Sequence, residues 1–489
     1  MMQVRHMQPK TLKMYIGGQW VESESGETFE AYNPATGEVI ASLPQGTRLD
    51  AQRAIAAANE NKHKISGMSV WERARLCRHI GDVMLERREE LARVLTEDQG
   101  KPYHTEALAE VDFAAHGFHN AAEQIKWLET SVIPTEDANK RVFSFRQPRG
   151  VYAVVTPWNF PINIPVEYLA PGLAAGNAIV WVPAPTTSVC AVKLMECLEE
   201  AGVPPGVVNL VTGPGPVVGD EIVSHPGTDA VGFTGSPRTG KQIAQRAAGK
   251  PLLLELGGNG PTIVLDDADF DVVTAKVASG CFFNAGQVCS ATERILVQRR
   301  VHDELIDRLI NAAQAVHLGN PFDPTTTMGP LNNQPTAEKV DRHLSDSVAK
   351  GAVILFGGRR APELGSDLYY MPTIVDNIAP DSLLNTEETF GPVAPIMSFD
   401  DYDQALAMTA QCKLGLVAAV FTTNITKAFY FAERLRTGIV NINDNSNYWE
   451  SHIPFGGASG TQSGIGRLGG KYTLMEMTDL KTICLDVGR

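Results

Sequence analysis

Positive charge is scarce in this chain: 42 Lys and Arg face 56 Asp and Glu over 489 residues, a formal net charge of −14. Binding a phosphate backbone needs clustered cations that displace counterions, and no basic block occurs, so no nucleic-acid partner is expected. Also missing is any run of about 18 apolar residues that would span a bilayer. Residues 1–20 (MMQVRHMQPKTLKMYIGGQW) lack the apolar core of a secretory signal. A cytoplasmic protein without a membrane partner is the expectation. Seven cysteines (Cys77, Cys190, Cys197, Cys281, Cys289, Cys412 and Cys484) are an odd number with no Cys-x-x-Cys spacing and no neighbouring His. That pattern speaks against a disulfide framework or zinc, so no metal is expected and each thiol is by default a small buried hydrophobe. Repeats, low-complexity tracts and Pro/Ser-rich linkers are absent too, so domains should abut closely.

What is present is enough apolar material for a full core, with 43% hydrophobic and 20% charged residues. The length exceeds one domain of about 100–200 residues, which predicts two or three. Residues 14–44 alternate strand-like runs with Gly-Gly, Ser-Gly, Asn-Pro and Thr-Gly turn pairs, as short hairpins do. The stretches 50–62, 70–98 and 105–130 predict helices, and the acidic parts 86–97 and 106–112 read as solvated faces with charge pairs. From Gly150 onward, apolar runs at 151–156, 178–182, 207–212, 230–234 and 252–256 are separated by helix-length segments. This alternation predicts a parallel sheet covered on both faces, with ligands at the carboxyl ends of its strands. A second αβ series runs from 270 to about 421, and the tail ends in the strand-like LKTICLDVG.

The candidate chemistry follows those runs. The first ends in Thr156-Pro157-Trp158-Asn159-Phe160-Pro161, where Asn159 is either a turn residue or an amide donor to an oxyanion. The fourth leads into Gly235-Ser236-Pro237, a helix start with Ser as N-cap and Pro first, whose free amides suit a phosphate. Thr212-Gly213-Pro214-Gly215 is a second permissive turn, yet neither has the spaced Gly-x-Gly-x-x-Gly fingerprint. The fifth ends in Leu254-Glu255-Leu256-Gly257-Gly258-Asn259. A carboxylate between leucines reads as buried, with its pKa raised towards that of a general base, the alternative being a solvated strand end. In Phe283-Asn284-Ala285-Gly286-Gln287-Val288-Cys289-Ser290, small neighbours leave a thiol accessible, and a thiolate attacks carbonyl carbon readily. Glu387-Glu388-Thr389-Phe390-Gly391-Pro392 places an acidic pair and an aromatic before a Gly-Pro turn.

In this order the blocks resemble the aldehyde dehydrogenase superfamily from about Tyr15 to the C-terminus, with Glu255 to Gly258 and Phe283 to Cys289 the most specific. The resemblance implies an α/β fold: a Rossmann-like cofactor domain (1–127 and 148–256), an α/β catalytic domain (257–465) and a small β oligomerisation or bridging element (128–147 and 466–489). It implies NAD or NADP as cofactor and a small-molecule aldehyde as substrate, oxidised to the acid through a Cys thiohemiacetal and thioester. Cys289 would be the nucleophile, Glu255 the base, and Asn159 with the Cys289 amide the oxyanion hole. The cofactor would lie against Thr156, Pro157, Trp158, Gly235, Ser236, Leu256, Gly257, Glu388 and Phe390. A Glu at 255 favours hydrolysis over transfer to coenzyme A, since the coenzyme-A-dependent relatives generally lack it.

The sequence departs from the family pattern in two places. Val182 and Pro185 replace a Lys and a Glu that many relatives place at the adenosine ribose, which leaves NAD against NADP open. Tyr168 and Leu468 replace a Lys and a Glu that form a proton relay in many members, so Glu255 alone would activate the water. By alignment with the family the substrate pocket includes Phe160, Phe283, Tyr448, Trp449 and Phe455, with Asn447, Ser451 and His452 nearby. Aromatic walls suit an aromatic or hydrophobic aldehyde. The alternatives are a short-chain semialdehyde such as succinate semialdehyde, a coenzyme-A-acylating or phosphorylating dehydrogenase, and a catalytically silent scaffold of the same fold. No Arg stands beside Cys289 to clamp a distal carboxylate, with Arg294 and Arg149 left open. An exposed edge in the tail strand needs a partner, so a homodimer or homotetramer is expected, the tail crossing between subunits.

Overall fold

The computed structural model describes residues 10–488. Residues 1–9, part of the expected cofactor unit and of the stretch read for a secretory signal, and residue 489 of the bridging element lie outside the described residues. The five apolar runs form the middle of an eight-stranded sheet. Its order is Gly464–Ile465, Leu252–Leu256, Ala230–Gly235, Val151–Val155, Ala178–Val182, Val208–Leu210, Met14–Ile16 and Gln19–Val21. The inner five strands are parallel and both edges are finished by antiparallel ones. Side chains alternate between two cores. Val151 and Ala153 pack with Ala51, Ala54 and Ala58 of the helix Arg48–Ser66, whereas Tyr152 and Val154 face the cluster holding Leu169 of the helix Asn163–Ala175 and Ile80 of the helix Val70–Glu86. Burial on both faces explains why these strands read as unbroken apolar runs.

The chain steps outward from Val151–Val155 to Val208–Leu210, then returns to the other side of Val151–Val155 for the next two strands. Strand order therefore reverses between Val151–Val155 and Ala230–Gly235. The crevice outside their carboxyl ends is where doubly wound sheets bind ligands, and Trp158 and Ser236 flank it.

A second sheet runs Val353–Phe356, Thr373–Asp376, Val393–Phe399, Thr292–Gln298, Gly260–Val264, Val417–Phe421, Ile439–Ile442, with its own core and only the first strand antiparallel. A third is antiparallel: Thr478–Asp486, Lys140–Pro148, Val132–Ile133. The tail strand thus pairs along its length with its own chain. No helix among the described residues is long and apolar enough to cross a membrane.

Four local features differ from the sequence reading. The stretch 70–98 is two helices, Val70–Glu86 and Arg88–Gln99, with the break at Arg87, whose guanidinium is held by Glu90 and Glu196. The stretch 105–130 opens with a π-helical turn, Tyr103–Ala107, before the helix Leu108–Gln124. Gly464–Ile465, placed with the catalytic unit by the sequence, hydrogen-bonds to Leu252–Leu256 in the first sheet. Gly260–Val264 was hidden as a strand by Pro261, which supplies no ladder donor and sits where the register shifts.

Candidate active site

Cys289 follows a loop that turns on three successive left-handed residues, Asn284, Ala285 and Gly286, at φ 50°, 52° and 72°. A Cβ at Gly286 would lie 2.1 Å from the Gly391 carbonyl oxygen, so only glycine fits there. Ala285 carries backbone strain, which the neighbouring amides hold in place. Gln287 Nε2 donates to the Asn284 carbonyl at 2.9 Å, Asn332 N donates to Gln287 Oε1 at 2.9 Å, and Asn284 Nδ2 donates to the Asn159 carbonyl at 3.0 Å. This loop leaves Cys289 only partly buried, while Cys77, Cys190, Cys197, Cys281 and Cys412 are buried and Cys484 is exposed. Burial, then the charges of Glu255, Glu388 and Glu167, push the Cys289 thiol well above its usual range. The resting group is a neutral thiol that needs a proton acceptor before it can attack.

Glu255 is the penultimate residue of its strand, 3% exposed, and its Oε1 has no partner among the described residues. Burial, reinforced by Glu167 and Glu388, raises its pKa well above the carboxylate range. Asn159 Nδ2 donates to the Gln287 carbonyl at 3.0 Å, and the second amide hydrogen has no protein partner among the described residues.

Two cavities meet at these groups: Cys289, Glu255, Thr234 and Ile164 line both. The larger, about 470 Å³, is walled by Pro157, Trp158, Gly235, Ser236, Leu256, Gly257, Glu388 and Phe390. Ser236 caps the helix Pro237–Arg246, accepting from Thr239 N at 3.3 Å, with Pro237 first. Trp158 and Phe390 meet edge to face at 5.4 Å, and Phe390 is held at φ 61°. Glu388 Oε1 accepts from Gly258 N at 3.1 Å, and a Cβ at Gly257 would come within 2.6 Å of that oxygen. A helix N-terminus, a carboxylate and two rings along one trough fit a pyrophosphate, a ribose and a nicotinamide. Arg238 and Lys339, which the sequence reading did not single out, add positive charge to the wall. Thr156 stands behind it, 3% exposed, its hydroxyl accepting from Trp181 Nε1 at 2.8 Å.

The smaller cavity, about 260 Å³, is walled by Phe160, Phe283, Trp449 and Phe455, with Asn447 bonded to Ser290 Oγ at 2.9 Å. Tyr448 is not on this wall: it is 48% exposed and its hydroxyl donates to Glu450. His452 is exposed beside Glu450, and Ser451 is hydrogen-bonded to Asn120. The expected solvated face at 106–112 is corrected here, since Glu106 and Glu110 are only 4% and 5% exposed and line the cavity with Phe113 and Glu167. Their spacing at 106, 110 and 113, one face of a helix, was the available signal. Arg294 is fully buried against the carbonyls of Asn259 and Thr409, and Arg149 is bonded to the Glu476 carbonyl and Asp479. Neither lines either cavity.

Tyr168 is buried, its hydroxyl 2.8 Å from Thr234 Oγ1 and its ring against Gly232, where a Cβ would lie 2.6 Å away. Leu468 is buried and backbone-paired with Phe455 in both directions at 2.8 Å. Neither side chain supplies a charge at its position. Val182 is buried and Pro185 exposed, and neither offers a charge to a ribose.

A doubly wound sheet whose switch point opens on a Ser-capped helix N-terminus, with a thiol and a carboxyl at the far end, is the architecture of a dinucleotide-dependent oxidoreductase. The profile of the aldehyde dehydrogenase family matches residues 20–483. The mitochondrial succinate-semialdehyde dehydrogenase of Oryza sativa subsp. japonica is 38% identical over 96% of this chain and 88% of its own. The NADP+ succinate-semialdehyde dehydrogenase of Escherichia coli (strain K12) is 37% identical over 96% and 97%. The NAD+ complex of an aldehyde dehydrogenase from Bacillus cereus superposes with a TM-score of 0.94 at 34% identity, covering 98% of this chain and 97% of that one. The chain belongs to the aldehyde dehydrogenase family. It is an NAD(P)-dependent enzyme that oxidises aldehydes.

Proposed function

We propose that this enzyme converts aldehydes with an aromatic or otherwise apolar body into free acids, with Cys289 as nucleophile, Glu255 as base, and Asn159 with the Cys289 amide receiving the oxyanion. The observation that carries this reading is that Cys289 and Glu255 line both cavities, so a carbonyl carbon entering from one side meets both groups where the other cavity opens. Cys289 Sγ adds to that carbon while its proton passes to Glu255. The new alkoxide takes hydrogen bonds from preorganised donors, each worth roughly 3 kcal/mol. When bound, the nicotinamide supplies the acceptor for the hydride that the thiohemiacetal loses in becoming a thioester. Glu255 releases its proton to solvent, then takes another from the water that attacks the thioester carbon. The C–S bond breaks, the acid leaves, and the thiol is restored.

Support for the cofactor side comes from Pro157, Trp158, Gly235, Ser236, Leu256, Gly257, Glu388 and Phe390 sharing one wall, with Thr156 bracing it from behind. Support for an apolar body comes from Phe160, Phe283, Trp449 and Phe455 around the smaller cavity. A second reading, a short-chain semialdehyde, is favoured by the names of the rice and E. coli relatives. We take residues 10–127 with 148–256 and the strand Gly464–Ile465 as the cofactor unit, 257–463 as the catalytic unit, and 128–147 with 466–488 as the bridging element. The exposed Leu480, Ile483 and Leu485 on the third sheet support a homodimer or homotetramer.

An aldehyde panel read at the absorbance of reduced nicotinamide tests the reading. Cys289→Ala is expected to make no acid. Glu255→Gln is expected to turn over about 10²–10⁴-fold more slowly. Near-wild-type turnover of Glu255→Gln at neutral pH overturns the assignment, and preference for succinate semialdehyde over benzaldehyde selects the second reading.

A further inference from the structure

The turn that carries Glu388 and Phe390 is held from behind. Phe390 stands at φ 61°, a conformation that is costly for a residue with a Cβ and persists only where the surroundings fix it. What fixes it is a buried acid that lines neither cavity. Glu293 is 2% exposed; its Oε2 accepts from Thr389 N at 2.6 Å and its Oε1 from Phe390 N at 2.7 Å. These amides are consecutive, so one carboxyl fixes the peptide planes on both sides of Thr389 and with them the directions in which Glu388 and Phe390 leave the chain.

Glu293 belongs to the start of the strand Thr292–Gln298, four residues after Cys289. Successive strand residues point to opposite faces. The next one, Arg294, secures the approach to the same turn: its Nε donates to the Asn259 carbonyl at 2.9 Å, and Asn259 Nδ2 donates to the carbonyls of Asn385 and Glu387 at 3.1 and 3.0 Å. The side chain of Thr389 is occupied as well, with Oγ1 3.2 Å from Nδ1 of the buried His343. The turn is thus fastened to the strand that follows the thiol, and only the Glu293 bonds reach the two amides that aim Glu388 and Phe390.

We infer that Glu293 is a positioning residue: by holding the Thr389 and Phe390 amides it sets the Glu388 carboxyl and the Phe390 ring in the pose that receives the nicotinamide half of the dinucleotide. The inference rests on the reading of that trough as the cofactor site and extends it to a side chain the cofactor does not touch.

The test is a binding ratio, measured by calorimetry on the enzyme without aldehyde. It divides the affinity for whichever dinucleotide the wild type binds more tightly, NAD+ or NADP+, by that for its adenosine diphosphate half, which keeps the pyrophosphate but lacks the nicotinamide and its ribose. In Glu293→Gln a side-chain NH2 faces one of the two amide donors, so the ratio is expected to fall about tenfold, the scale of one hydrogen bond, while the half-ligand binds as before. Glu293→Asp, which keeps both oxygens on a shorter stem, should lie between Gln and wild type. In turnover the cofactor KM should rise and the aldehyde KM stay. An unchanged ratio in folded Glu293→Gln overturns the inference, as does an equal loss of affinity for both ligands, the mark of a purely structural role. Should Glu293→Gln fail to fold, an undiminished ratio in Glu293→Asp overturns it. A Glu388→Gln variant that binds the dinucleotide as tightly as wild type would count against the cofactor reading itself, and the inference falls with it.

Discussion

At the thiol of Cys289 and the carboxyl of Glu255, burial holds both groups in their neutral forms, and the charge of Glu255 makes the thiol harder still to ionise. Chemistry needs the opposite state, a sulfur that has lost its proton and a carboxylate that can take one. Raised pKa values mean that the working forms gain population as pH rises. The ascending limb of kcat/KM should therefore lie well above the ordinary carboxylate range, and a flat profile from pH 5 to 8 would contradict these protonation states. In Glu255→Gln the thiol loses a neighbouring negative charge, so the limb of the single-turnover hydride step should move to lower pH even as steady-state turnover collapses. The residue types of this pair were legible in the sequence, because a carboxylate between leucines and a thiol among small residues are both unusual. The acids across the cavity were not. Glu106 and Glu110 sit in a charged stretch that would be an ordinary wet helix face if nothing packed on it, and only the helix Asn163–Ala175 and the loop at Asn284 take them out of water.

Among the elements, the strand ends do the positioning. Leu252–Leu256 and Ala230–Gly235 are in register from Val231–Leu252 to Gly235–Leu256, which sets Glu255 beside Thr234 and delivers Gly257 and Ser236 to one trough. Gly257 leaves room for Glu388 to approach the Gly258 amide. Gly257→Ala should displace that carboxylate and raise the cofactor KM about tenfold, as expected for a lost charge-assisted hydrogen bond, with a smaller effect on kcat. An unchanged cofactor KM would remove Glu388 from the binding site. The five parallel strands were readable because covered strands are continuous apolar runs. The edges were less so: Gly464–Ile465 is two residues long and has no apolar pattern, so its place beside Glu255 depends on a partner strand some two hundred residues away.

Across the whole molecule, the third sheet is the feature that the chain leaves uncovered. Leu480 and Leu485 are 59% and 51% exposed, and Val132 85%. Patches of this kind mark association surfaces, and the outer side of the tail strand has no neighbour among the described residues. In the proposed homo-oligomer, replacing Leu480 and Ile483 with Asp should lower the sedimenting mass to that of a single chain while leaving far-ultraviolet circular dichroism unchanged. Persistence of the oligomer would place the interface elsewhere.

By itself the sequence determined the inner strands, the helix start at Ser236 and the residue types of the proposed reacting pair, because each is written in local periodicity or in a residue type out of place among its neighbours. Only the tertiary structure decided which distant segments close the substrate cavity, that Tyr448 turns away while Glu106 and Glu167 turn in, and that Lys101 is already spent on Glu110. The reason is physical: burial and charge pairing are properties of what arrives from elsewhere in the chain, and no local pattern encodes the neighbour that will be there.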